Sequence, residues 1–300
     1  MAPVGSLAVG LALALDAAVG EPPEQVHPVV ALGAVIAALD RPYSAPRLVG
    51  VAIALLVPLG AAVVAAVPVA ALQSWHPIAA GGLAGLLLFT TLSHRLLVGL
   101  ATDVIEATTT DLEGAKAAVV GLVGRDTAAL DAAEVRSAAV ESLAENLADG
   151  LVAPLVAFAL GSLLSLPVGV GAAVWVKAVN TLDSMLGYRD RPLGTGSARL
   201  DDVVEWLPAR FSAALIALAA GDPGSLGRAR AWAREPPSPN SGWPMATMAA
   251  VLDARLRKPG EYDLNPEAAL PGKDTALAGV AVGRRAGWLA VGVAGVIAWF

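Results

Sequence analysis

The stretch LVGVAIALLVPLGAAVVAAVPVAALQSWHPIAAGGLAGLLLFTTLSH, Leu48 to His94, runs for 47 residues without Asp, Glu, Lys or Arg. Arg47 and Arg95 bound it. A helix needs about 20 apolar residues to cross the hydrocarbon core of a bilayer. The run therefore predicts two crossings, Val49–Leu72 and Ile78–Leu97. Gln73, Ser74, Trp75, His76 and Pro77 form the turn between them, with Trp75 placed as an interfacial anchor. The competing reading is a pair of buried helices in a soluble core, where charge-free runs of this length are rare.

The rest of the composition agrees. Of 300 residues, 56% are hydrophobic, 5% aromatic and 15% charged, against about 25% charged in ordinary soluble domains. The mean hydropathy is +0.65. Such a chain is not intrinsically disordered. Having no cysteine, it holds no disulfide, thiolate-bound metal or iron–sulfur cluster. A net charge of −6 and a pI near 5.1 argue against a nucleic-acid partner. The excess of Arg over Lys, in a chain so rich in Ala, reads as coding bias rather than chemistry.

Working outward, Gly150–Val176 is a second charge-free run, interrupted by Gly161, Pro167, Gly169 and Gly171. Either two half-helices enter and return to one side, or one kinked helix crosses. Met1–Leu15 and Ala286–Phe300 are shorter apolar ends, and Phe211–Gly221 is a short apolar helix. No Lys or Arg precedes the first of these, so it does not read as a signal peptide. The expected fold class is all-α, a polytopic membrane helical bundle with about four to six embedded helices. It forms a single domain over 1–300. Two crossings return Arg41, Arg47 and Arg95 to one face, which the positive-inside rule makes cytoplasmic. The polar helical segment of about 102–149 follows on that face, with a new element opening at Arg125-Asp126-Thr127. A polar loop region of about 189–273 comes later.

Four clusters carry chemistry. In the first, Asp16 closes an apolar helix and is followed by Gly20-Glu21-Pro22 and His27-Pro28, an unusual grouping at a membrane edge. In the second, Glu141, Glu145 and Asp149 recur at i, i+4 and i+8 on one helical face beside Asn146. Like charges so spaced oppose a helix, and this stripe runs into the second apolar run. It points to an oxygen-ligated Mg²⁺ site or a pairing network, with a solvated acidic face as the plainer reading. The third is Lys177-Ala-Val-Asn180-Thr181-Leu-Asp183-Ser184-Met-Leu-Gly187-Tyr188, at the far end of that run, where a structural Lys–Asp pair is the plainer reading. The fourth is Arg199-Leu-Asp201-Asp202 with Pro208-Ala-Arg210. Beyond it lies the loop Pro237-Ser238-Pro239-Asn240-Ser241-Gly242-Trp243-Pro244, whose prolines restrict it as suits a recognition loop. A solvated helix start and a linker are the plainer readings of these two. Phosphate-loop, dinucleotide, zinc-protease and nucleophile-elbow motifs are absent.

In this order the clusters resemble the CobD/CbiB family, membrane proteins of cobalamin biosynthesis that act as adenosylcobinamide-phosphate synthases. The resemblance covers nearly the whole chain, and Asn180-Thr181-Leu182-Asp183-Ser184-Met185 is its most specific part. Two positions depart from the family pattern. Glu21 stands where the family usually has Asp in Gly-Asp-Pro, and Pro237-Ser238-Pro239-Asn240 lacks the histidine that usually opens that loop.

The resemblance implies an ATP-dependent ligase. A propionate of adenosylcobyric acid is joined through an amide to (R)-1-aminopropan-2-ol or its O-phosphate, at the cell membrane. Under it, Glu141, Glu145, Asp149 and Asp183 are expected to hold Mg²⁺ and take the amine's proton. Lys177, Arg199 and Arg210 are expected at phosphates, with Lys177 counted among the catalytic residues. Asn180, Ser184, Asn240 and Ser241 are expected to position substrate amides and phosphate. Asp16, His27, Asn146, Thr181, Tyr188, Asp201, Asp202 and Ser238 complete the expected substrate-binding set. One active site using both the second and third clusters requires the hairpin reading, a re-entrant helical hairpin at 150–182. The lipid bilayer and other corrinoid enzymes are the further expected partners. A transporter and a non-catalytic scaffold for corrinoid enzymes are the alternatives.

Overall fold

The computed structural model of the chain describes residues 3–123, 127–188 and 191–300, so Arg125 and Asp126 lie outside the described residues. Helices make up most of it. In chain order these are α1 (Pro3–Val19), α2 (Pro28–Leu39), α3 (Pro46–Gln73), α4 (Pro77–Phe89), α5 (His94–Ala107), α6 (Leu112–Val119) and α7 (Ala132–Leu147). There follow α8 (Ala153–Ser162), α9 (Leu166–Leu186), α10 (Thr195–Val204), α11 (Trp206–Ala219), α12 (Ser225–Ala229), α13 (Gly242–Leu252) and α14 (Lys273–Ile297). A π-helical turn, Ala148–Val152, joins α7 to α8. The only sheet among the described residues is an antiparallel hairpin of β1 (Leu256–Lys258) and β2 (Tyr262–Leu264), with Lys258 opposite Tyr262.

Local sequence explains where several helices begin. His-Pro occurs twice and starts a helix both times. His27 Nδ1 accepts from Val29 N at 3.2 Å and His76 Nδ1 from Ala79 N at 3.3 Å, each with proline at the first helical position. The side chain satisfies an orphan amide, and proline lacks the amide that would be another. Asp131 and Glu134 form a reciprocal capping box at α7. Ser165 caps α9. The segment 189–273, rich in Pro and Gly, is not the loop its composition suggests. It holds α10 to α13 and the β-hairpin, because prolines such as Pro192 and Pro244 fall in first turns, where they cost no hydrogen bond.

The chain divides into two compact units. Met1–Ser93, Asp149–Glu205 and Val291–Phe300 form the first, and His94–Ala148 with Trp206–Ala290 form the second. In the first, α3 packs on α9, α4 and α10, α8 on α9, and α1 on α4. In the second, α7 packs on α5, α6, α13 and β1, while α13 also packs on α11 and α12.

Helix α3 decides between lipid and a soluble core. It is apolar all round, yet only 28% of its most apolar window is buried. Leu48, Leu55, Leu56, Leu59, Val64 and Val67 are all exposed. A continuous apolar surface of this kind belongs in a hydrocarbon solvent. Pro58 and Pro68 inside α3 are also tolerated there. Among the described residues, four segments are long and apolar enough to cross a membrane: Pro46–Gln73, Pro77–Ala107, Ala132–Ser162 and Lys273–Ile297. The protein is an all-α polytopic membrane bundle. The second expected crossing is interrupted, since α4 ends at Phe89, where Thr90 and Thr91 turn their hydroxyls onto the carbonyls of Leu87 and Leu88.

The run Gly150–Val176 forms a helical hairpin. Its turn is Leu163–Ser165, and Leu164 at the tip is 81% exposed, as suits a tip in an apolar environment. Gly161 and Gly169 let the arms touch. A Cβ on Gly161 would lie 2.9 Å from Gly169 Cα, and one on Gly169 would lie 2.9 Å from the Phe158 carbonyl oxygen. The arms are unequal, because α9 continues through the polar residues to 21 residues, about 31 Å. The tip residues line a cleft with Gln73 and Pro77, beside the α3–α4 turn. Leu182 and Leu186, at the other end of α9, pack with Ile36, Ile53 and Leu193. The long arm α9 therefore reaches from one end of α3 to the other.

Candidate active site

The open end of the hairpin gathers the polar residues of the first unit. Asp149 lies in the π turn, and Asn180 Nδ2 on α9 donates to its Oδ2 at 3.4 Å. Asn180 also hydrogen-bonds Asp201 of α10. Lys177, one turn earlier on α9, lies among the charges of Asp149, Glu21 and Glu205. Lys177 also lines a largely apolar cleft of about 610 Å³ walled by α2, α3 and α9, so it stands where apolar lining meets acid.

Carboxylates outnumber cations at this site. Glu205, the C-cap of α10, is 2% exposed, and both its oxygens are buried without a hydrogen-bond donor among the described residues. Asp183 Oδ1 and Asp201 Oδ1 are likewise buried without a donor. Buried charge of one sign is costly, and protonation relieves it. Burial, reinforced by the charges of Asp183, Glu205 and Asp202, pushes Asp201 up to about 8. Burial pushes Glu205 up to about 7, with Lys177 and the Asp149 carboxyl limiting the rise. Two facing carboxyls, Glu205 and Asp149, are both acceptors unless they share a proton or a cation.

Several expected site residues have structural duties. His27 caps α2, with its Nε2 3.9 Å from Glu21. Thr181 and Ser184 donate to the carbonyls of Lys177 (2.7 Å) and Asn180 (2.9 Å), so these hydroxyls bond their own helix. Asp16 is buried in α1, whereas Tyr188 and Arg199 are exposed. Asp202 lies within electrostatic reach of Asp183 and Asp201.

The second unit holds two further clusters. Arg210 on α11 donates to Asn240 Oδ1, to Pro239 O (3.0 Å) and to Trp206 O (3.0 Å). Its guanidinium stacks over Trp206 and Trp243, 4.8 and 5.4 Å from the ring centroids. Ser238 Oγ accepts from the amides of Asn240 and Ser241. The Pro237–Pro244 segment is thus tied to α11 through one arginine. In the other cluster, Glu141 accepts from Ser137 Oγ at 2.6 Å and from the Tyr262 hydroxyl at 2.7 Å. Asn146 donates to Ser142 Oγ and Ser142 O, both at 3.0 Å.

The regular α-helical period behind the acidic stripe of Glu141, Glu145 and Asp149 ends at Leu147. The π turn adds a residue to the helix at Asp149 and shifts the phase. Glu141 and Glu145 belong to the second unit, and Asp149 and Asp183 to the first. Among the described residues, no three His, Asp or Glu side chains converge closely enough to hold a metal ion by themselves. Sequence reasoning missed Glu205 and Tyr262. The i, i+4 spacing of Asp201 and Glu205 was the available signal for the first. Tyr262 had none, since its partner Glu141 lies 121 residues away.

Fold and site together define a multi-pass membrane protein with a buried, carboxylate-rich polar site at the open end of a helical hairpin. The family described as CobD/Cbib protein matches residues 9–287, and the chain belongs to that family. It is 38% identical over 272 residues to a probable cobalamin biosynthesis protein CobD of Methanothrix thermoacetophila, covering 86% of this chain and 85% of the relative. It is 41% identical over 275 residues to the cobalamin biosynthesis protein CobD of Rhodobacter capsulatus, covering 84% and 82%. A Thermococcus kodakarensis probable CobD is 38% identical over 293 residues, covering 94% and 90%. No solved structure matches the chain.

Proposed function

We propose that this chain is an ATP-dependent amide ligase of cobalamin biosynthesis, joining a carboxylate of adenosylcobyric acid to (R)-1-aminopropan-2-ol or its O-phosphate at the cytoplasmic face of the cell membrane. Membership of the family places the chain in cobalamin biosynthesis. The observation that carries the ligase reading is the gathering of Asp149, Lys177, Asn180, Asp183, Asp201 and Glu205 around buried carboxylate oxygens without donors.

A free carboxylate is a poor acylating agent. Transfer of the γ-phosphoryl group of ATP to the corrinoid carboxylate gives an acyl phosphate and ADP. The amine nitrogen then forms the amide bond while the carbon–oxygen bond to phosphate breaks, and the amine's proton passes to a base. Glu205, with a pKa near 7 and Asp149 against it, suits that base, since a group titrating near the working pH accepts a proton without holding it too tightly. Lys177 contacts a phosphate. Asn180 holds Asp149 and Asp201 in place while burial keeps water out.

The donor set fits Mg²⁺. Asp183 and Asp201 offer hard oxygens without donors, and Mg²⁺ is commonly held by one or two carboxylates with substrate phosphates completing its shell. That arrangement does not require three protein ligands to converge. When bound, Mg²⁺ supplies charge neutralisation at the transferring phosphate. Arg210, Asn240 and Ser238 position polar groups of a substrate.

The test is to incubate the detergent-solubilised chain with adenosylcobyric acid, aminopropanol phosphate, ATP and Mg²⁺. Equimolar amide product and ADP are expected. Absence of product where a relative forms it overturns the reading.

A further inference from the structure

Helices α2 and α3 both pack on α9. They share a buried cluster in which Ile36 and Ile53 meet Leu182, Leu186 and Leu193. Leu32 and Val57 pack on that cluster and also line a cleft of about 610 Å³, walled by α2, α3, α9 and the end of α4. The cleft follows α3 from Leu56 to Ala65, about 14 Å at 1.5 Å per residue. All of its lining belongs to the first unit.

The lining offers little to hydrogen-bond. Its polar side chains are Thr90, Thr91 and Lys177. Both threonine hydroxyls donate to carbonyls of α4, at 2.8 and 2.7 Å, and Lys177 lies among the charges of Asp149, Glu21 and Glu205. An ordered water needs about two to four polar partners, and an amide-rich or multiply charged ligand needs more. The volume falls in the range of ligand pockets, roughly 300–1,000 Å³. The lining therefore suits an apolar occupant.

The rim shows where such an occupant enters. Leu56 and Val64 line the cleft and belong to the exposed apolar surface of α3, and Val35 on α2 is also exposed. The cleft is thus continuous with the surface that faces hydrocarbon. Gly60 lines it too, and an added Cβ there would meet nothing within 4 Å. We infer that the cleft between α2 and α3 holds one acyl chain of a bilayer phospholipid, which enters from the hydrocarbon. The acyl chain lies along the methylene stem of Lys177, while the ammonium stays at the carboxylates. Occupancy by lipid is independent of the ligase reading.

The test is native mass spectrometry of the delipidated, detergent-solubilised full protein, titrated with palmitoyl-oleoyl phosphatidylcholine. One phospholipid per protein is expected to bind. Dihexanoyl phosphatidylcholine keeps the headgroup but buries fewer methylenes, and is expected to bind at least about tenfold more weakly. Palmitoyl-oleoyl phosphatidylglycerol keeps the acyl chains and is expected to bind within about threefold, since the cleft holds the chain rather than the headgroup. Gly60→Leu fills the cleft and lowers long-chain affinity at least about tenfold. Gly82→Leu, on α4 outside the cleft, where an added Cβ also meets nothing within 4 Å, leaves it unchanged. Thermal midpoints identify a misfolded Gly60→Leu, whose place Val64→Phe then takes. Equal binding of short and long acyl chains, or wild-type lipid affinity in the filled-cleft variant, overturns the inference. So does a dimer that Gly60→Leu dissociates, which assigns the cleft to a second copy. Loss of adenosylcobyric acid binding in Gly60→Leu with lipid affinity intact also overturns it, and assigns the cleft to that ligand.

Discussion

Asp149 and Asn180 meet at 3.4 Å although 31 residues separate them. Between them the chain passes along α8, turns at Leu163–Ser165 and comes back along α9. The contact closes the open end of the hairpin and puts Asp149 beside the polar residues of α9.

That topology predicts a labelling pattern in this cysteine-free chain. Ser184→Cys and Glu24→Cys, both exposed, are expected to react with an impermeant thiol reagent from the same side. Ser74→Cys, at the far end of α3, is expected to react from the other. Labelling of Ser74→Cys and Ser184→Cys from one side contradicts this topology.

The hairpin depends on its close glycine contact. Gly169→Val is expected to destabilise the protein by about 1–3 kcal/mol through overpacking and to reduce ligation by moving Asn180 away from Asp149. Gly82 on α4, where an added Cβ would meet nothing within 4 Å, is the control. Gly82→Ala is expected to be neutral or stabilising by up to about 1 kcal/mol. Denaturation midpoints in detergent measure both.

The acidic site makes stability pH-dependent. Folding raises Asp201 to about 8 and Glu205 to about 7, so the folded chain holds more protons than the unfolded one between the ordinary carboxylate range and pH 8. The stability that these groups contribute is full below pH 4 and is lost as pH rises through 7 to 8. Glu205→Gln removes a buried carboxylate without donors. It is expected to stabilise the protein by about 1–3 kcal/mol at pH 8 and by little at pH 5, while lowering ligation. Thermal scans across this range check the sign.

Lys177 lies among the charges of Asp149, Glu21 and Glu205. If the proposed ligase reading holds, Lys177→Met lowers the rate of amide formation by roughly 10²-fold or more, the scale for loss of a charge contact at a reacting group. Lys177→Arg is expected to retain part of it. Single-turnover amide formation distinguishes the two variants.

Arg210 joins the Pro237–Pro244 segment to α11 through hydrogen bonds and two stacked indoles. Lys keeps the charge but loses the planar fork. Arg210→Lys is therefore expected to raise substrate KM about tenfold with little change in thermal midpoint.

Much of this was legible in residue order. A charge-free run from Leu48 to His94 admits few placements, because apolar surface of that length needs lipid or a very large core. Helix starts at His27-Pro28, His76-Pro77 and Asp131 are local, set by neighbours within four residues. The chain itself also carries the ordered motifs that identify its family. Other features depend on residues distant in sequence, and only the tertiary structure decided them. A π turn at Ala148–Val152 interrupts the ideal helical period from which the stripe of Glu141, Glu145 and Asp149 was drawn. Tyr262 reached Glu141 because β1 and β2 dock on α7. Glu205 became a buried carboxylate through the packing of α10 against α3 and α9. Local propensity fixes where helices begin, but burial, which shifts a carboxylate's proton affinity and chooses its partners, is a property of the packed chain.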